Sequence, residues 1–315
     1  MAYCWKCGSL LQGPFCAHCG TPAQEAGAPA APKPAVQPIP PARHIWQRSP
    51  VSVEALRVPG ERLALVVGLG GLILVSLLLD ITTLGVALIF TIGLIFYIIF
   101  QQGGMKGGAV AVTPRNFPDI DSMAQEAAQN LGIAKPHLYI LQAVDLNAYA
   151  LGFTGDSFVV VHSAIVAAMQ KDLRELQFVV GHEFTHVKCA HTLWRTLAAQ
   201  NPIIGKIPVL SWVMGLFFGW WSRQSELTAD RGGLIACRDL AAGQRALAKL
   251  AVGPDLFDRL NIEEFIQQIK GGSIAASANE LFLDHPLLAK RIIALEEFAQ
   301  SPGYANLAQP AESAA

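Results

Sequence analysis

Charge is scarce in this chain of 315 residues: Asp, Glu, Lys and Arg make up 15% of it, and the net charge at neutral pH is −1. No basic block occurs, which argues against the phosphate-driven affinity of strong nucleic-acid binding, and no nucleic-acid partner is expected. Cysteine is sparse, with 6 residues, of which Cys4, Cys7, Cys16 and Cys19 fall at the start. The other two, Cys189 and Cys237, stand alone in apolar stretches, where isolated cysteines serve as small core residues. The most localised scarcity lies between Leu63 and Phe100, where Asp80 is the one charged side chain.

Apolar residues fill the space that charge leaves: 52% of the chain is hydrophobic and the mean hydropathy is +0.37. As a single helix, 63–100 would extend about 57 Å, nearly twice a hydrocarbon core of about 30 Å. A transmembrane helical hairpin over 59–104 fits better, with Asp80 and its Thr neighbours at the turn. The segments before the run contain an organised cysteine pattern, which speaks against a cleaved signal peptide. Lys33, Arg43, Arg48, Arg57 and Arg62 precede the run and Lys106 and Arg115 follow it, while the turn lacks Lys and Arg. The positive-inside rule then places both ends in the cytoplasm, as a multi-pass protein of the inner (cytoplasmic) membrane. The competing reading is a hairpin buried in a soluble core.

Residues 1–20 contain "YCWKCGSLLQGPFCAHCG", two Cys-x-x-Cys-Gly knuckles. Each Gly permits the tight turn that points backbone amides at thiolate sulfurs, so Cys4, Cys7, Cys16 and Cys19 are expected to hold one structural Zn²⁺. Two disulfides are the alternative, and a reducing cytoplasm disfavours them. His18 is expected beside the metal, because four thiolates already complete a tetrahedron. The stretch resembles the short zinc ribbons that begin many bacterial membrane proteins; what this ribbon binds is not written in it. Residues 21–58 are rich in Pro and Ala and read as an extended linker.

A globular part is expected over 113–298, followed by a flexible tail, 299–315. "DIDSMAQEAAQNLG" reads as a helix with Gly132 beyond its end. "HLYIL", "NAYALGF" and "SFVVVH" read as three short strands of an antiparallel meander. A long helix is expected from about Asp172 to Gln200. The apolar "NPIIGKIPVLSWVMGLFFGWW" after it is either a membrane-inserted or interfacial segment, or an apolar lid or core helix.

Within the long helix, "GHEFTH" places His182 and His186 one turn apart on one face. Two imidazoles so spaced can meet one Zn²⁺ at about 2.0 Å, and Glu183 beside them can take a proton from water. The alternative is a set of satisfied polar groups inside a helix. A third ligand must come from elsewhere, and "SRQSELTADRGG" offers Glu226 with Asp230 one turn on. Glu226 can bind metal while Asp230 accepts the outer N–H of a ligating imidazole. Alternatively, both carboxylates face water or pair with Arg223 and Arg231. His191, nine residues after His182, is expected on the far side of the helix.

Taken in order, "NAYALG", "GHEFTH", "SRQSELTAD" and "HPLLAKRI" resemble the M48 family of zinc metallopeptidases, whose bacterial heat-shock and eukaryotic prenyl-protein-processing members are integral membrane proteins. The resemblance implies an α+β, zincin-like domain with a small antiparallel sheet over about 113–298. It implies that His182, His186 and Glu226 are ligands of a catalytic Zn²⁺, that Glu183 is the base, and that Asp230 supports a ligand. It also implies that Asn147, Ala148, Tyr149, Ala150 and Leu151 form the edge strand beside which substrate lies, with His285 near the groove. The ribbon and linker are additions to the minimal family pattern.

Three protein ligands leave a fourth zinc position open, which suits hydrolysis, with His285 as a further donor to the developing oxyanion. The expected substrates are unfolded or membrane-associated polypeptides met at the lipid bilayer. A processing peptidase for lipidated peptides is a narrower alternative. A non-catalytic membrane-tethered adaptor is another, but it leaves Glu183 without a task.

Overall fold

The computed structural model describes residues 51–83, 108–152, 157–194, 208–270 and 287–308, with scattered positions between 85 and 96, all within one compact unit, 46–315. The four N-terminal cysteines, His18 and His285 lie outside the described residues, as does most of the second arm of the expected hairpin.

Ser52 caps a short helix α1, Val53–Leu56, by accepting from Ala55 N at 3.2 Å. Val51, Leu56 and Val58 are buried, so the end of the expected linker belongs to the folded unit. Its apolar side chains are what the Pro/Ala stretch before it lacks. Gly60, at φ 88°, turns the chain into α2, Glu61–Thr82. Its 22 residues rise about 33 Å, and among the described residues it is the one helix long and apolar enough to cross a membrane. Leu63, Val66, Ile73, Leu74, Leu77, Leu78 and Ile81 are all exposed on it. Thr82 and Thr83 hydroxyls donate back to Leu78 O (2.9 Å) and Leu79 O (2.6 Å), satisfying carbonyls at its far end.

Pro118 at the first turn, early Asp119 and Asp121, and Gly132 at φ 68° delimit α3, Pro118–Leu131, the helix read from the sequence. The sheet comprises β1 (Val110–Ala111), β2 (His137–Leu141), β3 (Ala148–Leu151) and β4 (Phe158–His162), in the order β1-β2-β4-β3. β1 and β3 pair antiparallel with their neighbours, but β2 and β4 run parallel, with Tyr139 opposite Val160. The antiparallel meander expected from the sequence is therefore replaced by a mixed sheet with β3 at its edge. All five residues of β4 are buried, and a strand covered on both faces belongs in the interior of the sheet; half-covered β3 is displaced outward.

After α4, Ser163–Met169, Asp172 caps α5, Leu173–Lys188, whose middle is buried on all sides. The helix expected to reach Gln200 stops here: Cys189 caps it and Ala190 takes φ 57°. The apolar stretch before Glu226 and the helix carrying Glu226 are one element, α6, Pro208–Cys237, 30 residues long. Its Phe218 and Trp221 pack on Ala64 of α2, with Leu65, Leu69 and Leu72 alongside.

α5 and α6 cross almost backbone to backbone. A Cβ on Gly232 would stand 1.8 Å from Thr185 Oγ1, and one on Gly181 would stand 2.2 Å from Ala236 Cβ. Among the described residues there follow α7 (Leu240–Val252), α8 (Pro254–Phe257), α9 (Ile262–Lys270), α10 (Leu288–Ala299) and α11 (Pro302–Ala308). α11 falls in the stretch expected to fray; Tyr304 and Leu307 pack on the core and hold it. That core, between the sheet and α3, α5, α6, α7 and α10, includes Leu131, Val159, Phe178, Leu234, Leu247 and Ile292.

Candidate active site and metal centre

The glycine crossing brings α6 close enough for Glu226 to face His182 and His186 on α5. His182 Nε2 lies 3.1 Å from His186 Nε2 and 3.5 Å from Glu226 Oε2, and Glu226 Oε1 lies 3.3 Å from His186 Nε2. Ligands at about 2.05 Å from a tetrahedral zinc are separated by roughly 3.3 Å, so this donor set has the spacing that the ion requires. All three side chains are buried, and they form a candidate metal-binding cluster. Glu183, next to His182, is buried with them.

Each imidazole is gripped on its other nitrogen. His182 Nδ1 is 2.9 Å from Asp230 Oδ1. Asp230 in turn receives Arg291 through both oxygens, Nε to Oδ2 at 2.8 Å and Nη2 to Oδ1 at 2.6 Å. Burial alone would raise the Asp230 carboxyl, but Arg291 and His182 hold it below the usual carboxylate range. Burial would likewise lower His182, yet hydrogen bonds and charge from Asp230 and Glu226 push it up to about 9. A metal ion entering here must displace that proton.

On the other side, His186 Nδ1 is 2.9 Å from His191 Nδ1, and His191 Nε2 is 3.0 Å from Glu61 Oε1. Glu61 also bonds to Thr228 and Arg57. From the sequence, His191 is expected on the side of the helix opposite His182. The structure overturns that, because the left-handed Ala190 folds the chain back after α5 ends.

Residues 114–299 match the sequence pattern of Peptidase family M48. The chain belongs to peptidase family M48. It is 32% identical over 219 residues to the plastoglobule-localized metallopeptidase 48 of Arabidopsis thaliana, a match spanning 64% of this chain and 62% of the plant protein. Protease HtpX of Yersinia enterocolitica is 30% identical over 236 residues, spanning 60% of this chain and 76% of that protein. Protease HtpX of Erwinia tasmaniensis is 30% identical over 234 residues, with the same two shares of 60% and 76%. No solved structure matches the chain. With the His-His-Glu cluster, family membership makes the protein a zinc-dependent metalloendopeptidase.

In this M48 peptidase, Asn147 is exposed, and Ala148–Leu151 form the edge strand β3, which packs against α5. Asp230 takes Arg291 as its partner instead of Arg223 or Arg231, the alternatives considered from sequence; Arg231 Nη1 donates to the carbonyls of Leu56 (3.4 Å) and Arg57 (3.2 Å). Arg291, Glu61 and Thr228 converge here without a sequence signal that singles them out, and His191 joins them from a position expected to face away. Arg291 lay within "HPLLAKRI", and His191 stands five residues after His186. Glu61 reads as an ordinary boundary charge at the head of an apolar helix.

Proposed function

We propose that this M48 peptidase, anchored in the inner membrane by α2, cuts unfolded or membrane-associated polypeptides on the cytoplasmic side. The observation that carries the reading is the buried cluster of His182, His186 and Glu226, with contacts of 3.1 to 3.5 Å, beside Glu183 on the same helix. A bound zinc ion supplies a Lewis acid that acidifies water and polarises a carbonyl. His182, His186 and Glu226 hold the ion. Glu183 takes the proton from the attacking water and returns it to the leaving amine. Asp230 keeps the His182 Nδ1–H in place, so that Nε2 faces the metal. An extended peptide adds to the open edge of β3 through main-chain hydrogen bonds, a mode suited to unstructured substrate. His285 adds a donor near the groove.

We further propose that Cys4, Cys7, Cys16 and Cys19 hold a second, structural zinc, and that 59–104 forms a multi-pass hairpin with both termini cytoplasmic. The names of the bacterial relatives, proteases, support the activity, and the exposed apolar length of α2 supports a place at the membrane. Full-length Glu183→Gln in detergent should keep its zinc and fold while casein cleavage disappears. Glu226→Gln should weaken metal binding as well. Undiminished, chelator-sensitive cleavage by zinc-replete Glu183→Gln would overturn the assignment. Removing residues 1–20 should lower metal content by one zinc per chain.

A further inference from the structure

We infer that Glu61, the first residue of the anchor helix, and His191 are positioning residues for the ligand His186, so that the membrane anchor is part of the metal centre. The inference rests on the reading of His186 as a zinc ligand.

Glu61 and His191 are 0% and 1% exposed, and they are separated by 130 residues in the chain. A carboxylate that serves only the helix dipole belongs at the surface, where it stays hydrated; burying one is unfavourable unless partners surround it. Arg57, four residues earlier, is partner enough for a boundary charge. Here Thr228 and His191 converge on the same carboxylate. To bring His191 there, Ala190 occupies the left-handed region at φ 57°, a conformation that residues with a Cβ disfavour. Trp221 stands edge-on to the His191 ring at 5.9 Å and covers it.

The proton positions follow from these contacts. A carboxylate only accepts, so the 3.0 Å contact puts a proton on His191 Nε2, and the neutral imidazole then has Nδ1 as its acceptor. The 2.9 Å contact between the two Nδ1 atoms then requires the proton on His186 Nδ1, which frees His186 Nε2 for the metal. Asp230 does the same for His182 in one step from α6. Glu61 does it for His186 in two steps from α2. Withdrawing α2 from α6 would therefore release the orientation of one ligand while leaving the other intact.

The test uses the full chain in detergent with Co²⁺ replacing zinc, because cobalt's visible bands report ligand geometry directly. Glu61→Gln should weaken Co²⁺ binding in chelator competition by about 10–100-fold and shift the bands, as loss of an outer partner of a ligating histidine does. Wild-type affinity and bands in Glu61→Gln, with only the melting temperature of the metal-free protein lowered, would make the contact structural and overturn the inference. Should Glu61→Gln not fold, ¹⁵N spectra of zinc-loaded wild-type protein decide the matter. They should show His191 protonated at Nε2 and His186 at Nδ1, and His191 protonated at Nδ1 would overturn the inference. Wild-type protein that binds no Co²⁺ would instead refute the reading of the metal site itself.

Discussion

Gly232→Ala probes the crossing that assembles the site. The new Cβ would lie 1.8 Å from Thr185 Oγ1 and 2.7 Å from both Thr185 Cβ and Cγ2. Thr185 cannot swing away easily: it is 0% exposed and donates to Gly181 O at 2.8 Å. Neither can the helices slide, since added Cβ atoms at Gly181 and Gly233 would meet Ala236 Cβ at 2.2 Å and Phe178 O at 2.8 Å. The closest pair, 1.8 Å apart, needs more than about 3 Å, so with Thr185 fixed α5 and α6 must part locally by more than about 1 Å. Overpacking of this kind costs about 1–3 kcal/mol, and the rigid surroundings favour the upper end. Better helix propensity of Ala returns about 1 kcal/mol. A net loss of about 2 kcal/mol corresponds to a drop of roughly 4–8 °C in Tm for a domain of this size. Because Thr185 adjoins His186 and Gly232 shares α6 with Glu226, zinc affinity should fall as well. Thermal unfolding in detergent, with and without chelator, measures both effects. Thr185→Ala in the same chain removes two of the three clashing atoms, so the double variant should be more stable than the two single losses predict, by at least about 1 kcal/mol. An unchanged or raised Tm in Gly232→Ala, or strict additivity in the pair, would refute the argument from close approach.

Asp230→Asn should lower zinc affinity about 10–100-fold in chelator competition and reduce stability, because Arg291, 7% exposed, loses its two-point carboxylate partner and keeps the 3.4 Å contact to Glu226; wild-type affinity would separate Asp230 from the metal. Ala148→Pro tests substrate addition at β3. His162 N donates to Asn147 O at 2.9 Å, so by ladder alternation the Ala148 N–H points to the open edge, and proline there should cut casein cleavage several-fold with zinc retained; unaltered cleavage would exclude that edge. Burial pushes the thiols of Cys189 and Cys237 up to about 12, so alkylation of native protein at pH 8, mapped by mass spectrometry, should leave both unmodified. Modification at the rate of a free thiol would contradict their burial.

The sequence by itself determined the features that depend on neighbours along the chain. His182 with His186, and Glu226 with Asp230, share helix faces because residues four apart do so in any α-helix. Pro118 and Gly132 bound α3 through their own φ preferences, and the apolar run that makes α2 long enough to span a membrane is a matter of composition. Tertiary structure decided what no local rule contains. The burial of β4 on both faces sent β3 to the edge and made the sheet mixed. Arg291, 61 residues from Asp230, became its partner through the docking of α10 on α6. The end of α5 was set by contacts that outweigh the strain at Ala190, since nothing in "VKCAHTLW" breaks a helical pattern. His191 reaches Glu61 across 130 residues because α2 lies against α6 and α6 against α5. Periodicity tells which side chains share a face; which faces meet is fixed only by how closely helices can pack, and here Gly181, Gly232 and Gly233 set that distance.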